Sequence, residues 1–353
     1  MRVAFVGCGN IAIPYAKAIA QTPELELVGA FDVQDGRAAA LLEDFGGTAY
    51  ITLDELLADE RVDAVVNLTA AVVHADVTRA ALNAGKHVHS EKPLAMNYTD
   101  AAGLVELAQA RGLGLSASPA TLLGEAQQTM WKLVREGAIG RPRVAYAEAN
   151  WGKVESWHPA SATLHAVGAM GDVGVYPIAI LTAIFGPARS VTAYSTTVEP
   201  DRVDREGAPF VLETPDLIVA LLELESSVVA RVTASFYVGP GYQRGLEVHG
   251  DEGMLYLPTW GEADAKLKRS RTDNADDYAQ VELVREPYHG IDWARPLADL
   301  AAAVREGRSP RASGAQAAHI VEILDAVACS SREGGPVAVS SSFPQPEPLE
   351  WAQ

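Results

Sequence analysis

Short apolar runs alternate with amphipathic segments along the first third of the chain. Val3–Val6, Leu25–Phe31, Ala64–Leu68, His87–His89 and Gly114–Ala117 read as strands. Between them, Ile11–Ala20, Gly36–Phe45, His74–Asn83 and Tyr98–Ala110 place apolar residues at helical spacing. Apolar strands separated by helices predict βαβ units, and therefore a parallel sheet covered on both faces. Gly85 and Gly112 fall just beyond helical patterns, where a glycine stop is expected.

The texture changes near residue 119. A helix over Leu122–Glu136 leads into strand-like runs at Val144–Asn150, Val191–Thr197, Leu217–Glu225 and Val228–Val238. Ser226-Ser227 predicts a hairpin turn, and Gly250–Gly253 another ahead of Met254–Leu257. Short turns between strands predict a mostly antiparallel sheet. The polar stretches 198–215 and 259–290 read as loops or edge excursions. Helical patterns return at Pro296–Arg305 and Gly314–Cys329, before a proline-rich tail. The expected organisation is an α/β domain over residues 1–118, a doubly wound parallel sheet, followed by an α+β domain over 119–353 with a large, mostly antiparallel sheet.

Composition narrows the partners. Apolar residues make up 48% of the 353 and charged residues 21%, which is the balance of a globular protein. The formal charge of −18 repels phosphate backbones and anionic bilayers, so neither nucleic acid nor a membrane is the expected partner. The chain enters a strand pattern at Arg2 without a basic leader, and no apolar run reads as membrane-spanning. Cys8 and Cys329 lie far apart in segments that read as buried, which excludes a disulfide scaffold and suits a reducing cytoplasm. The eight histidines are scattered without ligand spacing, so no metal is expected.

The strongest chemical signal follows the first strand. Gly7-Cys8-Gly9-Asn10-Ile11-Ala12 opens the first helix. Gly7 permits the tight turn, Gly9 lets the backbone approach a diphosphate, and Ala12 allows close helix–strand packing, with Asn10 and Ile11 at the helix N-terminus. Asp32 ends the second strand, 23 residues after Gly9, where a carboxylate accepts hydrogen bonds from a ribose. The three features together predict a Rossmann dinucleotide-binding domain. Asp32 favours NAD by repelling a 2′-phosphate, while Arg37, five residues on, could serve one, so NADP stays possible. Cys8 reads as a small buried filler.

Glu91-Lys92-Pro93 follows the fifth strand at the carboxyl edge of the sheet, where open α/β sheets bind their ligands. Together with the fingerprint and with Ala84-Gly85-Lys86-His87-Val88, it resembles the glucose–fructose oxidoreductase/inositol dehydrogenase/MocA-like superfamily. Gly171-Asp172-Val173-Gly174-Val175-Tyr176 is similar to that family's Asp-x-Gly-x-His/Tyr element, in the tyrosine-bearing branch, and Gly250–Gly253 to its sheet turn. The resemblance implies that Lys92 is the active-site lysine, that Asp172 and Tyr176 are substrate-side residues, and that Thr69, His74 and Glu91 lie near the cofactor. Thr69-Ala70-Ala71 departs from the family's Thr-Pro-Asn, and Ala179 stands where inositol dehydrogenase-like members carry Asp. The resemblance also implies a homo-oligomer, a dimer or tetramer.

That set of residues suits oxidation of an alcohol. A phenol titrates near ~10, and an ammonium such as Lys92 favours its phenolate, so Tyr176 could move the hydroxyl proton. Asp172 would hold the substrate hydroxyl and orient Lys92. Taken singly, Asp172 suits a helix N-cap ahead of Val173–Phe185, and Tyr176 suits a core aromatic. Trp157, His158 and His165 are candidate substrate contacts, with Trp151 behind them, and His249 reads as structural. The expected function is NAD(P)-dependent hydride transfer to or from a sugar, polyol or related cyclic alcohol or ketone. The alternatives are a redox-neutral NAD-dependent glycosidase, a trans-dihydrodiol dehydrogenase, and a non-catalytic dinucleotide-binding regulator.

Overall fold

The computed structural model describes residues 1–239, 241–271 and 274–353, without side chains at 274–277. The chain divides into two compact units: Met1–Ala120 with Asp292–Val321, and Thr121–Ile291 with Glu322–Gln353. The segment 292–321, expected in the second domain, thus returns to the first unit.

The first unit carries six parallel strands: β1 (Arg2–Val6), β2 (Glu26–Phe31), β3 (Thr48–Ala49), β4 (Ala64–Asn67), β5 (His87–Ser90) and β6 (Leu115–Ala117). Their order is β3-β2-β1-β4-β5-β6, so the order reverses beside β1. The helices are α1 (Ala12–Ala20), α2 (Arg37–Phe45), α3 (Leu53–Ala58), α4 (His74–Asn83) and α5 (Tyr98–Ala110). Successive residues of β1 point to opposite faces. Val3 and Phe5 pack with Tyr15, Leu41 and Leu297. Ala4 and Val6 pack with Leu56, Leu82, Leu104 and Val321. Both faces are therefore covered, as the apolar runs require. The helix Arg295–Glu306 supplies Leu297, and the return to this unit follows from burying that apolar stripe.

In the second unit, α6 (Glu125–Arg135) precedes β7 (Pro142–Asn150), α7 (Ser161–Ala169) and α8 (Val175–Phe185). Then come β8 (Ala188–Thr196), β9 (Asp201–Val203), β10 (Pro209–Val211), β11 (Leu217–Leu224), β12 (Val229–Ser235), β13 (Gly245–Gly250), β14 (Gly253–Leu257), β15 (Lys268–Arg271), β16 (Asn274–Gln280) and β17 (Val337–Ala338). Nine of these strands form one sheet, β16-β15-β14-β13-β7-β12-β11-β8-β17. The β7–β12 ladder is parallel; its neighbours β7–β13 and β11–β12 are antiparallel. The expected hairpin turns at Ser227, in the left-handed region at φ 69°.

The polar stretches are not simple loops. Residues 198–215 hold the β9–β10 ribbon and 259–290 hold β15 and β16. Arg202 of β9 is buried and pairs with Glu155 at 2.6 Å and Asp216 at 2.5 Å, so an ion network rather than an apolar stripe anchors the ribbon. A helical path over Ser161–Phe185 is also long and apolar enough to cross a membrane, contrary to the sequence expectation, but 83% of its apolar window is buried inside the protein.

Candidate functional site

In the first unit, the fingerprint loop stands where the strand order reverses, between β1 and its neighbours β2 and β4. Gly7 has φ +96°, and a Cβ there would lie 2.8 Å from the Leu68 carbonyl and 2.9 Å from the Thr69 nitrogen. The loop after β1 and the loop after β4 therefore touch backbone to backbone, which brings Thr69 to the fingerprint. Gly9 is the opposite case: a Cβ there would meet nothing within 4 Å. The space above Gly9 is open, which leaves room for a diphosphate to approach the backbone. The N-terminus of α1 has no side-chain cap, and Asn10 is exposed beside half-buried Ile11. Uncapped N–H groups there favour an anion. Pro14 sits in the first turn, where its missing N–H costs nothing.

Asp32 terminates β2 with its carboxylate turned toward the same loop. It accepts the Cys8 N–H at 2.7 Å and the Gln34 N–H at 2.8 Å. Its charge, behind the larger effect of burial, pushes the Cys8 thiol up to about 12, so that thiol is inert rather than reactive. Both Cys8 and Cys329 are free and only half-buried. Arg37 is exposed at the start of α2. These residues fit a dinucleotide with a free ribose hydroxyl at Asp32.

The loop after β4 is fixed from beneath. Asn67 is fully buried; its amide donates to the His74 carbonyl at 3.0 Å and to Thr78 at 3.1 Å, while its oxygen accepts the Thr69 hydroxyl at 2.6 Å. His74 is 1% exposed, with its ring nitrogens 2.7 Å from the Pro93 carbonyl and 2.9 Å from the Thr69 carbonyl. It ties the Thr69 loop to the Lys92-Pro93 turn instead of facing open space. Glu91 is likewise turned inward, 6% exposed, accepting the Tyr15 hydroxyl at 2.8 Å and the Ser118 hydroxyl at 2.9 Å. Lys92 is half-buried, and its backbone N–H donates to Glu91 Oε2 at 3.2 Å.

The second unit holds the other candidates. Asp172 is not an N-cap. It lies inside a π-helical turn, Met170–Gly174, that joins α7 to α8, and α8 begins without a side-chain cap. Wide turns of this kind concentrate at functional positions. Gly174 lets the turn lie on the sheet, since a Cβ there would come within 3.3 Å of the Ala234 methyl on β12. Asp172 is 3% exposed. Tyr176, one turn on, stacks on Trp260 with ring centroids 4.8 Å apart. Trp260 donates its indole N–H to the Glu148 carbonyl at 3.1 Å, which fixes the plane on which Tyr176 rests.

The expected substrate contacts separate into two groups. Trp157, 46% exposed, packs edge-on to Trp151 and to His158, so three aromatic rings share one exposed patch. His158 accepts the Ala160 N–H at 3.1 Å. His165 instead is 8% exposed, 3.3 Å from Glu155 and packed against Phe210 and Phe236. Burial pushes its pKa down, aided by Arg202 and opposed by Glu155. It belongs to the ion network that anchors β9. His249 pairs with Glu247 at 3.3 Å on the sheet.

Sequence reasoning missed Tyr15, Asn67, Ser118 and Trp260. A buried Asn at a strand end leaves a sequence signal of its own, because an apolar run closes on a polar residue. The other three carry no such mark.

Known proteins give the same picture. Residues 1–118 match the GFO/IDH/MocA family profile described as an oxidoreductase family with an NAD-binding Rossmann fold, and residues 127–256 match the GFO/IDH/MocA C-terminal domain. The chain is 29% identical, over 92% of its length and 97% of the relative's, to dTDP-3,4-didehydro-2,6-dideoxy-alpha-D-glucose 3-reductase of Streptomyces violaceoruber. It is 23% identical, over 89% and 91%, to myo-inositol 2-dehydrogenase of Thermotoga maritima. Among solved structures, a 3-ketoreductase from Actinomadura kijaniata in complex with NADP superposes with a TM-score of 0.75 at 27% identity, covering 94% and 97% of the two chains. With both parts matched and the fingerprint loop built for a dinucleotide, the chain belongs to the GFO/IDH/MocA family and is an NAD(P)-dependent oxidoreductase.

Proposed function

We propose that the protein transfers hydride between a nicotinamide dinucleotide and a secondary hydroxyl or keto group of a sugar or cyclic polyol. The observation that carries this is the pairing of an open Gly9 with a left-handed Gly7 on the Asp32 carboxylate. The relatives that act on a dTDP-linked keto sugar and on myo-inositol supply the substrate class. Bound dinucleotide supplies the hydride donor or acceptor at its nicotinamide. Gly7, Gly9, Asn10 and Ile11 hold the diphosphate, Asp32 the adenosine ribose, and Thr69 the cofactor's reactive half. His74 and Glu91 act as supports for that half. Asp32 makes NAD the preferred form, since a 2′-phosphate would meet a carboxylate.

On the substrate side, Tyr176 takes the hydroxyl proton during oxidation or returns it during reduction. Lys92 contributes the cation that favours the charged form of the reacting oxygen. Asp172 accepts a hydrogen bond from the substrate. Trp157 and His158 contact the sugar, for which an exposed aromatic patch is suited. The second unit's sheet exposes Tyr146, Tyr194, Leu221 and Val229 on one face. We assign that face to self-association, and the two free thiols fit a cytoplasmic setting.

The test is absorbance at 340 nm with NAD, NADP and their reduced forms against a panel of sugars, polyols and keto sugars. At least one member, a dTDP-linked keto sugar and myo-inositol included, is expected to change the signal. Silence across the panel from protein that binds NAD overturns the reading.

A further inference from the structure

Beneath the Lys92 turn, Glu91 stands in a set of polar side chains whose other members the proposed chemistry does not use. Tyr15, on the buried side of α1, is 0% exposed and sends its hydroxyl to Glu91 Oε1 at 2.8 Å. Ser118 donates to the same oxygen at 2.9 Å. Both hydroxyl protons are thereby spent. His89 Nε2 lies 3.1 Å from the Tyr15 oxygen and 3.3 Å from the Ser118 oxygen, so it must be the donor to them. Burial pushes His89 down to about 4, which keeps the ring neutral, so its other nitrogen, 2.8 Å from the Ser116 hydroxyl, is the acceptor. Glu91 Oε2 accepts the Lys92 backbone N–H at 3.2 Å. Trp293 packs on the Tyr15 ring at 5.2 Å and Phe5 edge-on at 6.4 Å, so the ring's place does not depend on the hydroxyl.

The Tyr15 hydroxyl thus joins two things that are 77 residues apart in the sequence. One is α1, whose N-terminus opens the fingerprint loop. The other is the backbone that presents Lys92. We propose that Tyr15 is a positioning residue that couples dinucleotide binding on α1 to the placement of Lys92, through the Glu91 carboxylate. This rests on the reading above, in which the fingerprint holds the diphosphate and Lys92 serves the reacting end. The Tyr15–Glu91 bond is buried and the Glu91–Lys92 bond partly buried, and polar networks shielded from water with their members satisfied are stiff. Anchoring α1 by a bound diphosphate therefore stiffens the Lys92 turn.

Hydrogen exchange read by mass spectrometry on the peptide spanning Ser90–Ala95, with and without NAD, tests the coupling. The background is Lys92→Ala, which removes any direct side-chain contact with NAD yet keeps the Lys92-position N–H. NAD is expected to slow exchange of this segment by roughly threefold or more, the scale of a modest local stabilisation. In Lys92→Ala/Tyr15→Phe, NAD should still bind by calorimetry, with its dissociation constant within about threefold, but the slowing should vanish. With Lys92 restored, Tyr15→Phe should lower kcat by roughly tenfold and leave the KM for NAD nearly unchanged. Persistent slowing in the double variant overturns the coupling. If Tyr15→Phe does not fold, Ser118→Ala decides: a partial loss of the slowing supports the coupling, and an unchanged response overturns it. Failure of the underlying reading looks different, as no NAD binding in any variant or full turnover by Lys92→Ala.

Discussion

Adding one methyl group at Gly9 separates the cofactor role of the fingerprint from its folding role. Gly9 lies outside the left-handed region, and a Cβ there meets nothing within 4 Å. Gly9→Ala should therefore fold with a stability within about 0.5 kcal/mol of the parent, as surface changes without strain do. The same methyl occupies the space assigned to the diphosphate. It pushes the phosphates off the backbone N–H groups, and hydrogen bonds to charged groups are worth about 1.5–3 kcal/mol each. Losing one or two of them weakens NAD by roughly 100-fold, at about 1.4 kcal/mol per tenfold. Gly7→Ala is the control of opposite sign. Its φ of +96° and its Cβ 2.8 Å from the Leu68 carbonyl strain the fold itself. A left-handed alanine costs about 1–2 kcal/mol, and the backbone displacement adds to it, for a total near ~3 kcal/mol. Urea unfolding and NAD calorimetry on both variants give the four numbers needed. A folded Gly9→Ala that binds NAD within threefold of the parent would refute the assignment of that space to the diphosphate.

Other perturbations have equally definite outcomes. Asp32→Ala should weaken NAD by about tenfold and narrow the preference over NADP, read as paired dissociation constants, because a charge-assisted acceptor is lost. Tyr176→Phe and Lys92→Ala should each lower kcat by about 10²-fold or more with NAD affinity nearly preserved, the range expected for proton-handling groups; normal turnover in both would remove them from the chemistry. Trp260→Leu takes away the ring on which Tyr176 stacks at 4.8 Å, and should cost roughly tenfold in kcat while the melting curve stays cooperative. The pKa of His89 is about 4 when folded and near 6.5 when unfolded, so the unfolded chain binds the extra proton between those values. Stability should be full above pH 6.5 and fall by about 3 kcal/mol on acidification toward pH 4, and His89→Gln should flatten that slope in urea titrations.

Much of the first unit could be read from the residues, because its strands are apolar on both faces and its helices follow one spacing. The bounds of α4 and α5 coincide with the apolar pattern. The helix α3 went unread although its start is written in the chain: Thr52 accepts the Glu55 N–H at 3.2 Å and Glu55 accepts the Ile51 N–H at 3.0 Å, a reciprocal cap. The β9–β10 ribbon was illegible for a different reason. Its anchor, Arg202, has partners 47 and 14 residues away, and no local pattern distinguishes a buried, paired arginine from a solvated one. Taken singly, Asp172 suited a cap, because Asp before an apolar run often is one; the π-turn over Met170–Gly174 continues the helix through it instead. Lys92 and Asp32 stand out in the sequence because each closes a motif. Residues that act by holding a neighbour, such as Tyr15 and Trp260, look like ordinary core aromatics until the fold shows what they touch.

In the proposed reaction a hydrogen leaves the carbon of a sugar-like alcohol and stays on the nicotinamide. Deuterium placed on that carbon of the best substrate from the 340 nm panel, followed by mass spectrometry of the recovered dinucleotide, measures this directly. Reduced dinucleotide one mass unit heavier, formed in step with substrate consumed, is the expected result. Substrate converted while the dinucleotide ends oxidised and unlabelled would contradict it and point to redox-neutral chemistry.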